Sequence, residues 1–564
     1  MNKLTKFLPA RDKEQTAFLS RRAMLRLCAV APTCAGFGSL LFRGGVAKAM
    51  IFLPKQAIMW DTWILYYHDT FYLFYLSQEL NSPDSRWTGY SLATSTDGIH
   101  WSEKGCVYRD PRGIGSGYVY QSPSFHRDGK FLMQITRSGN RALSFAESTD
   151  LLHWTELGEK FDFSRDLRWY SPDGRWDMMH VIERPGGGCY GYWTADPIGA
   201  VGFGFGESDD GIRWKALPPP VIDWGEVDVP MSKYIEVTSV DKIGDRYYAL
   251  LHTLGYMGDG NGAYVLVADN PAGPFRADAK AYRFFSTNSG PDLSGMWCCT
   301  CCHTPSGVLV TNHQITHAGG KDHANHGAVW LPSDARIFHA PLKRAIVGDD
   351  EGHLRLGYWE GNDKLRVKAL PIEMDVSQST GTAKWESIPD GVQVAGAPRI
   401  SEMLPQQDYR FVPKFSILLF QSKFDFSKGI ILEGTMTIPS RLNYWLGAAG
   451  IFIEEEGGTQ GTAILNQTIN SATGQTKGLL CIGVIGKQDM ESWDPDDKVN
   501  TGINVSKGKF RLLLRDSLLE FYIDDLLARS YSLPERTYSG RLGLVVSEAD
   551  ARFEDLRAWS MELR

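Results

Sequence analysis

Tyr90-Ser-Leu-Ala-Thr-Ser-Thr-Asp-Gly-Ile-His-Trp101 decides the fold, because it returns. It recurs as Leu143-Ser-Phe-Ala-Glu-Ser-Thr-Asp-Leu-Leu-His-Trp154 and as Phe203-Gly-Phe-Gly-Glu-Ser-Asp-Asp-Gly-Ile-Arg-Trp214. A worn copy is Tyr264-Val-Leu-Val-Ala-Asp-Asn-Pro-Ala-Gly-Pro-Phe275. The three tryptophans are 53 and 60 residues apart, a period that marks a repeat architecture. Each copy is a strand of alternating side chains running into a Ser/Asp/Gly turn, after which a tryptophan covers the outermost strand. Ahead of each copy lies an aromatic or β-branched strand: Phe71–Tyr75, Lys130–Ile135, Tyr190–Trp193 and Tyr247–Leu251. A fifth such strand, Gly307–Thr311, precedes Ala335–His339. Five units of about four strands each, with no convincing long helix, predict a five-bladed β-propeller over residues 50–360.

Between Glu351 and Lys368 the repeat stops. Phe510–Asp516, Leu519–Asp525 and Gly540–Val546 are short strands with turns between them, which predicts a β-sandwich with its linker over 361–564. The expected fold class is therefore all-β, a five-bladed β-propeller followed by a C-terminal β-sandwich.

The bulk properties narrow the function. A chain of 564 residues can bury two or three domains. A net charge of −7 with no basic stripe excludes nucleic acid as the expected partner. No apolar run after residue 50 is long enough to span a bilayer, so no membrane partner is expected once the leader is removed. The leader itself is Ser20-Arg21-Arg22-Ala23-Met24-Leu25, a moderately apolar stretch to Phe42, and a small-x-small site at Ala47-Lys48-Ala49. It resembles a twin-arginine export signal occupying 1–49, which implies a periplasmic or extracellular protein. An ordinary signal or an anchor is the alternative, and Arg43 at the end of the apolar run argues against the anchor.

Nine cysteines are present, of which Cys28 and Cys34 leave with the signal. Cys298-Cys299-Thr300-Cys301-Cys302, followed by His303, lacks the two separated knuckles of a zinc site. It reads as an apolar inner strand in which cysteine serves as a small hydrophobe, with a metal site, a redox site or a disulfide as alternatives. His313, His317, His323 and His326 follow the second strand of blade 5 and read as a hydrogen-bonding loop. No cofactor and no metal are expected.

The two-part architecture, together with Arg515-Asp-Ser-Leu-Leu-Glu-Phe-Tyr-Ile-Asp524 and the closing strands from Gly540 to Trp559, resembles glycoside hydrolase families 32, 43, 62 and 68. Family 32, the invertases, levanases and inulinases, carries most of the likeness, over roughly residues 55–564. In such propellers the innermost strand of each blade lines a central funnel, and the catalytic acids stand near the start of those strands. Three acids fit: Asp61 in Met59-Trp60-Asp61-Thr62-Trp63, Asp177 in Arg175-Trp176-Asp177-Met178-Met179, and Glu236 in Tyr234-Ile235-Glu236-Val237-Thr238. The resemblance implies that Asp61 is the nucleophile, Asp177 the transition-state stabiliser and Glu236 the general acid/base, its pKa raised by burial and neighbouring negative charge.

Departures from the family pattern fall around all three. Trp60 and Thr62-Trp63 replace the asparagine and the Pro-Asn-Gly that flank the nucleophile, Trp176 separates Arg175 from Asp177, and Val237 replaces a cysteine. They weaken the inference to fructose more than the inference to a glycosidase. A literal Arg109-Asp110-Pro111 falls between blades 1 and 2 and reads as a loop. Blade 2 is read as opening at Tyr120-Gln121-Ser122, whose Gln121 and Ser122 are expected to touch substrate along with Arg175. Trp60, Trp63, Trp176 and Trp297 begin blades, where flat rings could stack on sugars or simply pack the core.

The expected function is a secreted glycoside hydrolase that removes terminal furanoside residues, β-fructofuranosides first, from an oligo- or polysaccharide. The alternatives are a family-43-like arabinofuranosidase or xylosidase that inverts configuration, and a carbohydrate-binding propeller without catalysis. A transferase would use the same residues.

Overall fold

The computed structural model describes residues 50–562, apart from 81–85, 138, 140–141, 232–234, 255–260, 278–281, 287–294, 318–334, 349–351, 396–414, 439–446, 456–459, 471–475, 487–493, 501–506, 534–538 and 548. The export signal read in 1–49 lies outside the described residues, as do His323 and His326.

Five antiparallel meanders follow one another. The first runs Ala57–Tyr67, Thr70–Glu79, Gly89–Ser95 and Ser102–Arg109, hydrogen-bonded in chain order. The second opens with Ile114–Gln121, the third with Trp176–Glu183, the fourth with Ile235–Ile243 and the fifth with Gly295–Thr304. Each opening strand packs against that of the next sheet, and the fifth packs back on the first. The five inner strands therefore close a ring. The N-terminal segment reinforces the closure, since Phe52 and His339 of the fifth sheet exchange both backbone hydrogen bonds.

The repeated turn has one construction throughout. Ser95 Oγ accepts from Gly98 N, while Asp97 Oδ1 accepts from the backbone of Ile99 and His100. Ser148 with Asp150, and Ser208 with Asp210, make the same bonds. Short polar side chains thus satisfy backbone donors that the strand ladder cannot reach. The turn also joins the blades. Trp101 packs on His339 of the preceding sheet in the ring, Trp154 on Phe74, and the Gly211 carbonyl accepts from Tyr120 of blade 2.

Blade 5 leads into the second layer without a break in hydrogen bonding. Leu354–Tyr358 pairs with Lys343–Val347 on one side and, through Gly357 and Leu526, with a C-terminal strand on the other. That sheet continues through Leu518–Ile523, Lys507–Arg515, Ile430–Thr437 and Ala551–Ser560. It faces a six-stranded sheet built from Phe415–Leu419, Leu542–Ser547 and Gly447–Glu454 onward, and the core between them holds Leu432, Ile451, Leu512, Phe521 and Leu544. A further core is shared by propeller and sandwich, with Leu73, Phe338 and Leu342 meeting Ile431, Leu513 and Tyr522. At this seam Lys343 and Glu520, both fully buried, pair at 2.6 Å.

Candidate active site

The inner strands are not regular. In every one of the five the register shifts near the start: between Trp60 and Thr62, Ile114 and Gly117, Asp177 and Met179, Val237 and Ser239, and Trp297 and Thr300. Such bulges re-aim side chains that strict alternation would send elsewhere. Asp61, Met178 and Cys298 occupy them with φ values of 25°, 42° and 44°. That region is sparsely populated by non-glycine residues and is held only where the surrounding structure enforces it.

The three candidate acids step back from these bulges. Asp61 sits within its bulge, Asp177 one residue ahead of Met178, and Glu236 two residues ahead of Thr238. Burial follows the steps: Asp61 and Asp177 are 3% exposed, whereas the Glu236 side chain is 28% exposed.

A chain of contacts around the funnel joins them. Ser116 of blade 2 donates to Asp61 Oδ2, and Cys298 of blade 5 donates to Asp61 Oδ1 at 2.8 Å. Next to Ser116, a Cβ added at Gly115 would stand 3.4 Å from Asp177 Oδ1, so the backbone of blade 2 closes against the second acid. Tyr90 lies beneath this pair, donating to the Gly115 carbonyl at 2.9 Å. Its phenol is held well above the ordinary range, first by burial and then by the charges of Tyr108, Asp177 and Asp61. A Cβ at Gly117 would come within 2.8 Å of the Tyr90 ring, which is why glycine stands there.

On the other side, Arg175 Nη1 lies 3.9 Å from Glu236 Oε1, and Asp196 anchors Arg175 by accepting from its backbone N at 2.9 Å. Glu236 Oε2 lies 3.8 Å from Nδ1 of His252, its cross-strand neighbour. His252 packs on Trp297, Trp297 on Trp60, and Trp60 adjoins Asp61, with ring centroids 4.6 and 5.0 Å apart. Half-buried Trp87, in the connection that follows the second strand of blade 1, stacks over Trp60 at 6.2 Å.

Several expected contacts fall elsewhere. Gln121 ends the inner strand of blade 2, and Ser122 donates to Asp128 and caps the turn that follows, so both lie at the opposite end of the strand from Ser116. The serine that meets Asp61 comes from Ile114-Gly115-Ser116-Gly117, six residues earlier than expected. Trp63 is buried against Phe74 and Tyr90, and Trp176 against Phe163, Tyr170 and Trp193, so both build blade cores. Trp60, Trp297 and Arg175 belong to the chain of contacts that joins Asp61 to Glu236. Asp110 is buried between blades 1 and 2, with its carboxylate on Arg112 and Arg137. His313 and His317 belong to the strand Gly307–His317 and not to a loop, and the buried His313 ring packs 4.7 Å from Trp60. Cys299, Cys301 and Cys302 are buried in apolar clusters, as an inner strand of small hydrophobes requires.

Sequence reasoning missed Ser116, Cys298, His252, Asp196 and Trp87. Glycines on both sides of Ser116 within a strand were the one available signal, since they mark a bulge or a close approach.

No family model and no curated protein matches the chain by sequence. Solved structures do match it by shape. Fructan 1-exohydrolase IIa from Cichorium intybus superposes with a TM-score of 0.61 at 12% identity, covering 91% of this chain and 97% of that one. Sucrose-6-phosphate hydrolase from Lactobacillus gasseri gives 0.60 at 13% identity, covering 92% and 93%. A GH32 β-fructofuranosidase of Bombyx mori in complex with sucrose gives 0.56 at 12% identity, again over 92% and 93%. Along nearly its whole described length, the chain has the fold of the propeller-and-sandwich fructoside hydrolases of glycoside hydrolase family 32.

Proposed function

We propose that the protein is an exo-acting glycoside hydrolase that releases terminal β-fructofuranosyl residues with retention of configuration. The observation that carries this reading is the stepped set of carboxylates on the inner strands of blades 1, 3 and 4, two buried and one open to solvent. A glycosidase that retains configuration needs one carboxylate that stays ionised at the closed end of its pocket and a second carboxyl that exchanges protons with water. The fold shared with a fructan exohydrolase and a sucrose-bound β-fructofuranosidase supports the furanoside class.

In this mechanism an Asp61 oxygen attacks the anomeric carbon while the glycosidic C–O bond breaks. The bonding pair goes to the leaving oxygen, which takes its proton from Glu236. Water then attacks the same carbon, gives its proton to Glu236 and releases Asp61 as carboxylate, restoring both groups. Asp177 holds sugar hydroxyls and tightens on them as positive charge develops. Arg175 and His252, each just under 4 Å from one Glu236 oxygen, hold that side chain toward the leaving group. Trp60 and Trp297 form the wall between nucleophile and acid.

The test is hydrolysis of sucrose, inulin and levan beside a panel of nitrophenyl furanosides and pyranosides, with the first-formed anomer followed by NMR. Net retention on a fructoside, abolished by Asp61→Asn, is the expected result. Inversion on an arabinofuranoside with no action on fructosides would sink the reading. Export by the twin-arginine route is part of the same proposal: replacing Arg21 and Arg22 together by Lys should leave the protein in the cytoplasm, and unchanged export would point to the general secretory route.

A further inference from the structure

We propose that Cys298 is a positioning residue for Asp61: its thiol holds Oδ1, the oxygen that attacks, while Ser116 holds Oδ2, which becomes the ester carbonyl. The proposal rests on the glycosidase reading above.

Both oxygens of a buried carboxylate are engaged by neutral donors from two other blades. Neutral donors favour the anion over the acid without cancelling its charge, so Asp61 is kept ionised and still able to attack. The two donors are unequal, since a hydroxyl is a good donor and a thiol a weak one. The oxygen that attacks must give up its hydrogen bond as it forms the new C–O bond, and giving up the thiol costs least. The other oxygen remains a good acceptor in the ester and keeps its hydroxyl. Backbone geometry serves the same contact, because Asp61 and Cys298 are both bulge residues with positive φ, and the two distorted positions meet. Among the described residues, Asp177 and Tyr90 lie close to this pair, with Arg175, Glu236 and His252 further round the ring.

The experiment uses the full chain with Cys298→Ala, Cys298→Ser and Asp61→Asn, in two parts. Without substrate, the infrared S–H stretching band is taken as the wild-type minus Cys298→Ala difference. It should lie below the bands of the other buried thiols and move up when the same difference is taken in the Asp61→Asn background. An unshifted band in both backgrounds overturns the proposal. With sucrose and inulin as probes, pH–rate profiles are compared. Cys298→Ala should move the acid limb of kcat/KM to higher pH and lower kcat by about threefold to tenfold with KM little changed. Cys298→Ser should restore the acid limb yet keep kcat below wild type, because the stronger donor holds the attacking oxygen back. An active enzyme whose profile neither substitution moves excludes the positioning role alone. A wild-type chain inert on every fructoside removes the glycosidase reading and this role together.

Discussion

Asp61 and Asp241 are both aspartates on inner strands, both 3% exposed, and they are held in opposite ways. Asp61, near the start of its strand, is bonded by a hydroxyl and a thiol. Asp241 lies five residues beyond Glu236, toward the other end of the channel, between two imidazoles. His180 Nε2 is 3.0 Å from one of its oxygens and His303 Nε2 is 2.7 Å from the other, with Ser239 donating at 2.9 Å. Burial alone would raise the Asp241 pKa, but the His180 and His303 rings outweigh it and hold the carboxyl well below the usual range. Asp241, buried between groups that can carry positive charge, serves the fold, as Asp110 between Arg112 and Arg137 also does. The hydroxyl and thiol that meet Asp61 are neutral and leave its charge available for chemistry. Between these two equally buried aspartates, the partners and not the burial make the difference.

Exchanging the roles by mutation tests that contrast. Asp61→Asn should cost roughly a thousandfold or more in kcat while leaving the unfolding midpoint unchanged or higher, since it removes a buried charge at nearly constant volume. A large loss of stability would show Asp61 to be structural.

Asp241→Asn should do the reverse, lowering stability by about 3 kcal/mol in denaturant titration because two imidazoles lose their common partner. Turnover per folded molecule should hold within about threefold, and a loss comparable to that of Asp61→Asn would break the comparison.

Histidines sharpen it through pH. Burial, with the charge of Lys343 adding, pushes His339 down to about 3, so it stays neutral in the fold while an unfolded chain protonates near 6.5. The unfolded state then binds more protons between those values, and stability falls as pH drops through that window, by about 1.4 kcal/mol per pH unit from this residue. His339→Gln should flatten that acid slope. His303 acts in the opposite sense: its hydrogen bond to Asp241 raises its pKa above 6.5, so its contribution is complete below 6.5 and fades as pH rises through the folded value. With its side chain 59% exposed, that effect should be small, and His303→Gln should remove it.

The smallest effect belongs to an acid that only shapes backbone. Asp97 caps the first repeated turn, and Asp97→Ala should cost about 1 kcal/mol in thermal or denaturant unfolding with no change in kcat.

Much of this was legible from residue order. The Ser/Asp turns are local, built from side chains two or three residues from the donors they satisfy, so the repeat announced them directly. The same periodicity placed Asp61, Asp177 and Glu236 near the starts of inner strands. Alternation then failed at the bulges, where one extra residue reverses which side chains face inward. Trp63 and Trp176, read as either sugar contacts or core, face the blade cores, and blade 2 was phased at Tyr120 when its inner strand begins at Ile114.

By itself, then, the sequence determined the all-β class and the repeated sheets, because these rest on spacing along the chain, while the choice of Asp61, Asp177 and Glu236 needed the family resemblance beside that spacing. Only the tertiary structure decided what holds those acids. Ser116 and Cys298 reach Asp61 from 55 and 237 residues away, and His180 and His303 converge on Asp241 across three blades. Closing a ring of sheets brings together strands whose separation along the chain carries no periodic signal, and the protonation of a carboxylate is fixed by those neighbours.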